Sequence, residues 1–193
     1  GYISCVLFAG FFALCKVFYG LWIPGQNIDV LYVLTLLTVA CSLFEGPVYP
    51  LYYVYTLKVK NKIPCFITLA GGVVNVLGMF ALLKLTGLGV YAVALTTAAV
   101  MGFINLVTNP IYISDCLGIK PSFVYCPLVR ILVSAAVMCL VFHCVANLIS
   151  PTSWLTLVIS GITCVILSLP IYGFIAVGPS SLRMFLRRIT KRG

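Results

Sequence analysis

Six runs of apolar residues, each about as long as a bilayer is thick, decide what this sequence can fold into. A hydrocarbon core about 30 Å deep takes roughly 20 residues of helix to cross. Stretches of that length lie at 2–23, 30–57, 63–84, 90–113, 126–148 and 154–177. The connections between them are too short to hold a soluble domain. Runs such as 131–141 and 155–169 are apolar on every side, whereas a strand of a membrane β-barrel alternates over about 10 residues. In lipid the backbone must satisfy its own polar groups, and helix is the solution left. The predicted fold is all-α: a polytopic membrane helical bundle with six transmembrane helices.

Composition agrees. The chain is 63% hydrophobic and 8% charged, against about 25% charged residues in a soluble domain, and its mean hydropathy is +1.20. A net charge of +9 raises nucleic acid as a partner, but the location of the charge argues otherwise. Ten of the twelve Lys and Arg fall on one side of the six spans: Lys58, Lys60, Lys62, Lys120, Arg130, Arg183, Arg187, Arg188, Lys191 and Arg192. The alternate connections, 24–29, 85–89 and 149–153, hold none; Lys84 sits at an edge and Lys16 inside a span. By the positive-inside rule, loop 58–62 and the C-terminal tail are cytoplasmic, and six crossings place the start of the chain there too. The bilayer is the partner this charge pattern fits, and no nucleic acid is expected.

Other signals are negative. Nine cysteines show no CxxC spacing, so neither a disulfide framework, a metal site nor any other cofactor is expected. No Gly-x-x-x-x-Gly-Lys-Ser/Thr loop occurs, which excludes ATP hydrolysis by these residues. The sequence enters its first span directly after Gly1, without Met or a charged leader, and is expected to be part of a longer membrane protein.

Against this apolar background a few polar residues stand out. Lys16 lies about 5 Å from the middle of its span. It either faces a water-filled cavity that receives an anionic group or snorkels towards Tyr19 and Trp22 at the interface. Glu45 is the acid nearest the middle of a span, followed by Gly46, Pro47 and Pro50. Each proline lacks an N–H for the carbonyl four residues back, so the helix is expected to break beside the carboxylate. Broken helices of this kind coordinate ions or protons in many transporters; the alternative is a purely structural kink. Tyr49, Tyr52, Tyr53 and Tyr55 either offer rings and hydroxyls to a sugar or form an interfacial aromatic belt. Asn75 on 63–84, flanked by Gly71, Gly72 and Gly78, and Ala94, Ala98 and Gly102 at four-residue spacing on 90–113, read as a helix-packing seam. His143 is placed near the outer interface and Arg130 near cytoplasmic lipid phosphates. In the tail, Arg183, Arg187 and Arg188 interleave with Leu182, Phe185, Leu186 and Ile189 as a short amphipathic helix on the inner leaflet.

The order of these signals resembles a known family. A span with prolines and tyrosines runs into the basic exit 55–64 (Tyr-Thr-Leu-Lys-Val-Lys-Asn-Lys-Ile-Pro). Next come a span with a central Asn75 and the turn 87–96 (Gly-Leu-Gly-Val-Tyr-Ala-Val-Ala-Leu-Thr). This is similar to the C-terminal half of bacterial polysaccharide transporters, the lipid-linked oligosaccharide flippases of the multidrug/oligosaccharidyl-lipid/polysaccharide superfamily. The likeness is best over 30–113.

That resemblance implies part of a larger two-bundle, inverted-repeat transporter. Residues 1–113 would be four helices ending its second bundle, 114–177 an additional C-terminal pair, and 178–193 a basic cytoplasmic tail. It implies movement of undecaprenyl-diphosphate-linked oligosaccharide across the bacterial inner membrane by alternating access, for products such as O-antigen, lipopolysaccharide or capsule. Partners would be the lipid-linked oligosaccharide, a coupling proton or sodium ion, and the N-terminal half of the same protein. Basic cavity residues of that family receive the diphosphate, and Lys16 is the candidate for that role here; Glu45, Tyr49 and Tyr52, singled out from the residues and not from a family motif, are the candidates to line the substrate or ion path. The alternatives are a multidrug/cation antiporter of the same superfamily and a membrane-embedded polysaccharide-processing enzyme. The short outer connections, with Asp29 as their acid, argue against catalysis.

Overall fold

A computed structural model describes residues 1–58 and 60–177. The helices follow the apolar runs closely. They are α1 (Tyr2–Trp22), α2 (Ile28–Val48), α3 (Tyr52–Leu57), α4 (Lys62–Leu85), α5 (Val90–Phe103), α6 (Asn109–Leu117), α7 (Ser122–Ile149) and α8 (Trp154–Tyr172). A 3₁₀ turn, Tyr49–Leu51, joins α2 to α3, a π-helical segment, Ile104–Thr108, joins α5 to α6, and a second, Gly173–Val177, extends α8. Among the described residues six helical stretches are long and apolar enough to cross a membrane. The architecture is a helical membrane bundle.

The described residues group into two compact units, one of residues 1–28 with 127–177, the other within residues 29–126. In the first unit α1 packs against α8. Small side chains are buried on both helices, Cys5, Ala9 and Cys15 on α1 and Ser160 and Ser168 on α8, as is Ser134 on α7. Because apolar contact with a neighbouring helix gains little over contact with lipid, close approach and polar bridges decide the packing. The Tyr2 and Ser168 hydroxyls lie 2.7 Å apart, and the Cys5 thiol donates to the Ile131 carbonyl of α7 at 3.6 Å. Ser153 starts α8 with a reciprocal cap, accepting from the Thr156 N–H at 3.4 Å while the Thr156 hydroxyl accepts from the Ser153 N–H at 3.0 Å. Where α1 ends and α8 begins, Phe18 meets Trp22 and Trp154 with ring centroids 5.3 and 5.9 Å away. Such rings fit the boundary between lipid and water.

The second unit is built on the α4–α5 hairpin. Gly89 takes φ +53° ahead of α5, a conformation costly for a residue with a Cβ. Close approach follows from Gly78: a Cβ there would stand 2.8 Å from the Thr96 Cγ2. Asn75 bridges the same interface, its Nδ2 donating to the Thr97 Oγ1 at 3.4 Å. Ala94 and Ala98 are half-buried on α5, while Gly102 is buried and faces Phe44 of α2. The remaining surface of α4 is apolar and open, with Phe66, Leu77 and Phe80 each more than 60% exposed, as a lipid-facing helix requires.

Candidate functional site

The polar residues of the second unit converge where its helices lose regularity. Pro47 is accommodated within α2, which runs past Glu45 to Val48; the interruption is the 3₁₀ turn Tyr49–Leu51 that holds Pro50. On the other side, Pro110 supplies no N–H to the carbonyl of Leu106, and the chain widens into the π segment before α6 starts. Between these two segments opens a cavity of about 660 Å³. Glu45, Tyr49, Pro50, Tyr52, Tyr53, Thr56, Thr68, Met101, Ile104 and Asn105 line it. Glu45 is half-buried, and Tyr49 and Tyr53 are largely exposed, at 63% and 74%.

A hydrogen-bonded network backs one wall. Asn109 is 2% exposed, and its Nδ2 donates to the Tyr52 hydroxyl at 2.8 Å and to the Asn105 Oδ1 at 3.0 Å. The Tyr55 hydroxyl donates to the Asn109 Oδ1 at 3.3 Å and to its backbone carbonyl at 3.4 Å. Rings close the cluster: Tyr52 and Tyr55 meet edge to face with centroids 5.5 Å apart, and the Tyr112 ring centroid stands 5.3 Å from that of Tyr55. The Tyr112 hydroxyl donates to the carbonyl of Lys60 at 3.2 Å, tying the basic loop to α6. A second cavity, about 480 Å³, shares Tyr52, Thr56 and Thr68 with the first and reaches Asn61, whose neighbours in sequence are Lys60 and Lys62.

Of the residues singled out in the sequence, Glu45, Tyr49, Pro50 and Tyr52 therefore share one cavity. Lys16 is exposed on α1 and belongs to the first unit. Lys58, Lys60 and Lys62 are exposed around the connection to α4. Arg183, Arg187 and Arg188, with the amphipathic tail, lie outside the described residues. Asn105 and Asn109 carry no weight in the sequence reading, yet both are central here. Their signal is an Asn pair four residues apart, the second directly before Pro110, inside a largely apolar span.

No protein-family model and no solved structure matches the chain. It is similar to the Uncharacterized membrane protein EpsK of Bacillus subtilis (strain 168), with 28% identity over 114 residues, or 59% of this chain. The chain is a membrane protein. The match spans 23% of the length of EpsK. With six apolar helices, the similarity to a membrane protein agrees with the bundle described above.

Proposed function

We propose that this chain is the C-terminal part of a bacterial polysaccharide exporter, which flips undecaprenyl-diphosphate-linked oligosaccharide across the inner membrane by alternating access. In this reading residues 1–113 end the second transporter bundle, 114–177 are an added pair, and the C-terminus is cytoplasmic. The protein moves its substrate without altering it, so no catalytic residue is assigned. The observation that carries the reading is the cavity beside Glu45. Three tyrosines, two threonines and an asparagine line it, which suits hydroxyl-rich rings that stack on aromatic faces and hydrogen-bond at their edges. Irregular helix segments flank it on two sides, as expected where a transport path crosses a bundle. Lys16 is the proposed contact for diphosphate, and a proton or sodium ion at Glu45 the proposed coupling ion.

One observation favours a second reading. A carboxylate beside tyrosine rings also suits an organic cation, which would make the protein a multidrug/cation antiporter. Deletion of the gene separates the two. Loss of the exporter should trap undecaprenyl-linked repeat units inside the cell, and re-expression of the natural protein should clear them. Lys16→Ala and Glu45→Gln should clear them poorly while inserting normally. No accumulation, together with altered drug sensitivity, would overturn the exporter in favour of the antiporter.

A further inference from the structure

The hydrogen-bond network beside the cavity has a fixed direction. A carboxamide has two N–H donors, and Asn109 gives them to the Tyr52 hydroxyl and the Asn105 Oδ1, while its own Oδ1 accepts from Tyr55. Tyr52 accepts in this arrangement and keeps its own O–H to donate. Asn105, with its oxygen engaged, offers its amide N–H groups. Tyr52 and Asn105 both line the cavity, so two neutral donors face it from one wall, and Glu45 supplies an anionic acceptor. Among the described residues lining this cavity, Glu45 is the charged one, and neither Lys, Arg nor His joins it.

Such a lining is unfit for phosphate or a carboxylated sugar, whose charge would face that of Glu45 with no Lys, Arg or His among the lining residues to offset it. We infer that the Glu45 cavity binds a non-acidic, hydroxyl-rich sugar unit and discriminates against acidic ones, with Asn109 as the residue that points the Tyr52 and Asn105 donors into it. The inference rests on the exporter reading of the same cavity and adds a rule for which sugars enter it. Asn109 is a positioning residue: it acts through Tyr52 and Asn105.

Binding of soluble disaccharides to the purified natural protein in lipid nanodiscs at pH 7 tests this directly. The probes are a disaccharide of N-acetylglucosamine and the same scaffold with one glucuronic acid. The neutral probe should bind at least about tenfold more tightly, and Glu45→Gln should narrow that ratio to within about threefold. Asn109→Asp replaces the donor amide by an acceptor that takes the Tyr52 proton and turns the Asn105 amide away from the cavity. It should weaken the neutral probe by about tenfold and the acidic probe by more, because the new carboxylate adds to the charge of Glu45, whereas a general loss of folding would lower the binding of both probes alike. Tyr52→Phe removes one donor while keeping the ring, and should weaken the neutral probe by about threefold.

Equal binding of the two probes, binding of neither, or tighter binding of an organic amine than of the neutral sugar would overturn the inference. Transport is scored separately, with lipid-linked versions of the same sugars in proteoliposomes. Preferential binding of the neutral probe without movement of either lipid-linked form leaves the specificity standing and overturns the exporter reading.

Discussion

Asn109→Leu removes the hub of the polar network with little change in volume. Two of the side-chain bonds it breaks reach α3, at 3.3 Å from Tyr55 and 2.8 Å to Tyr52. Interhelical hydrogen bonds in membrane proteins contribute about 0.6 kcal/mol each on average. Neither tyrosine is orphaned: Tyr55 retains the Asn109 backbone carbonyl at 3.4 Å, and Tyr52 opens onto the cavity. Asn105 fares worse. It is 3% exposed, and its Oδ1 loses the amide that serves it at 3.0 Å. An unpaired polar atom in that setting costs about 1–3 kcal/mol. The expected loss is about 2–4 kcal/mol, dominated by Asn105. Reversible unfolding in mixed detergent micelles, followed by far-ultraviolet circular dichroism, measures it. Asn105→Leu in the same chain should recover part of the loss, because the orphaned oxygen is gone. A loss below about 0.5 kcal/mol for Asn109→Leu, or simple additivity in the double variant, would refute the reasoning.

Three further outcomes are expected. Gly78→Val drives a side chain into Thr96 across the α4–α5 contact and should cost about 1–3 kcal/mol in the same unfolding assay, whereas Gly72→Ala, open on its side, should be near neutral. Ser153→Ala removes the cap of α8 and should cost about 1 kcal/mol, with Thr163→Ala, whose hydroxyl donates to the Ile159 carbonyl of its own helix, as the milder control. In a cysteine-free background, Gln26→Cys should react with a membrane-impermeant maleimide in intact cells, and Asn61→Cys only after permeabilisation, if loop 58–62 is cytoplasmic.

The spans were readable because lipid imposes both a length and a uniform apolarity on any helix that crosses it. Observed helices start and stop within a few residues of the runs, as with 63–84 against Lys62–Leu85. Chain breaks were harder to place. Two prolines flag trouble near Glu45, but whether a helix absorbs Pro47 or yields at Pro50 depends on packing around the turn, and here it yields at Tyr49–Leu51. The site was legible in part. Glu45 and the tyrosines are conspicuous as polar residues in an apolar run, so they could be singled out one by one. Asn109 carries a local flag, its four-residue spacing from Asn105 ahead of Pro110, but its role comes from Tyr52 and Tyr55, more than fifty positions away in sequence, and no local period links them. The partner of Asn75 was hidden for the same reason: Thr97 lies on the next helix, and only the hairpin register brings the two together.

Movement of a lipid-linked oligosaccharide by the purified natural protein is the most direct measurement. In proteoliposomes loaded with a lipid-linked oligosaccharide bearing neutral sugars, a lectin or glycosidase added outside reports how much substrate has changed leaflet. The wild-type protein should raise that fraction well above protein-free vesicles, and Glu45→Gln and Tyr52→Phe should lower it while reconstituting equally well. Vesicles with wild-type protein that move no more substrate than empty ones, or variants that match wild type, would contradict a saccharide path beside Glu45.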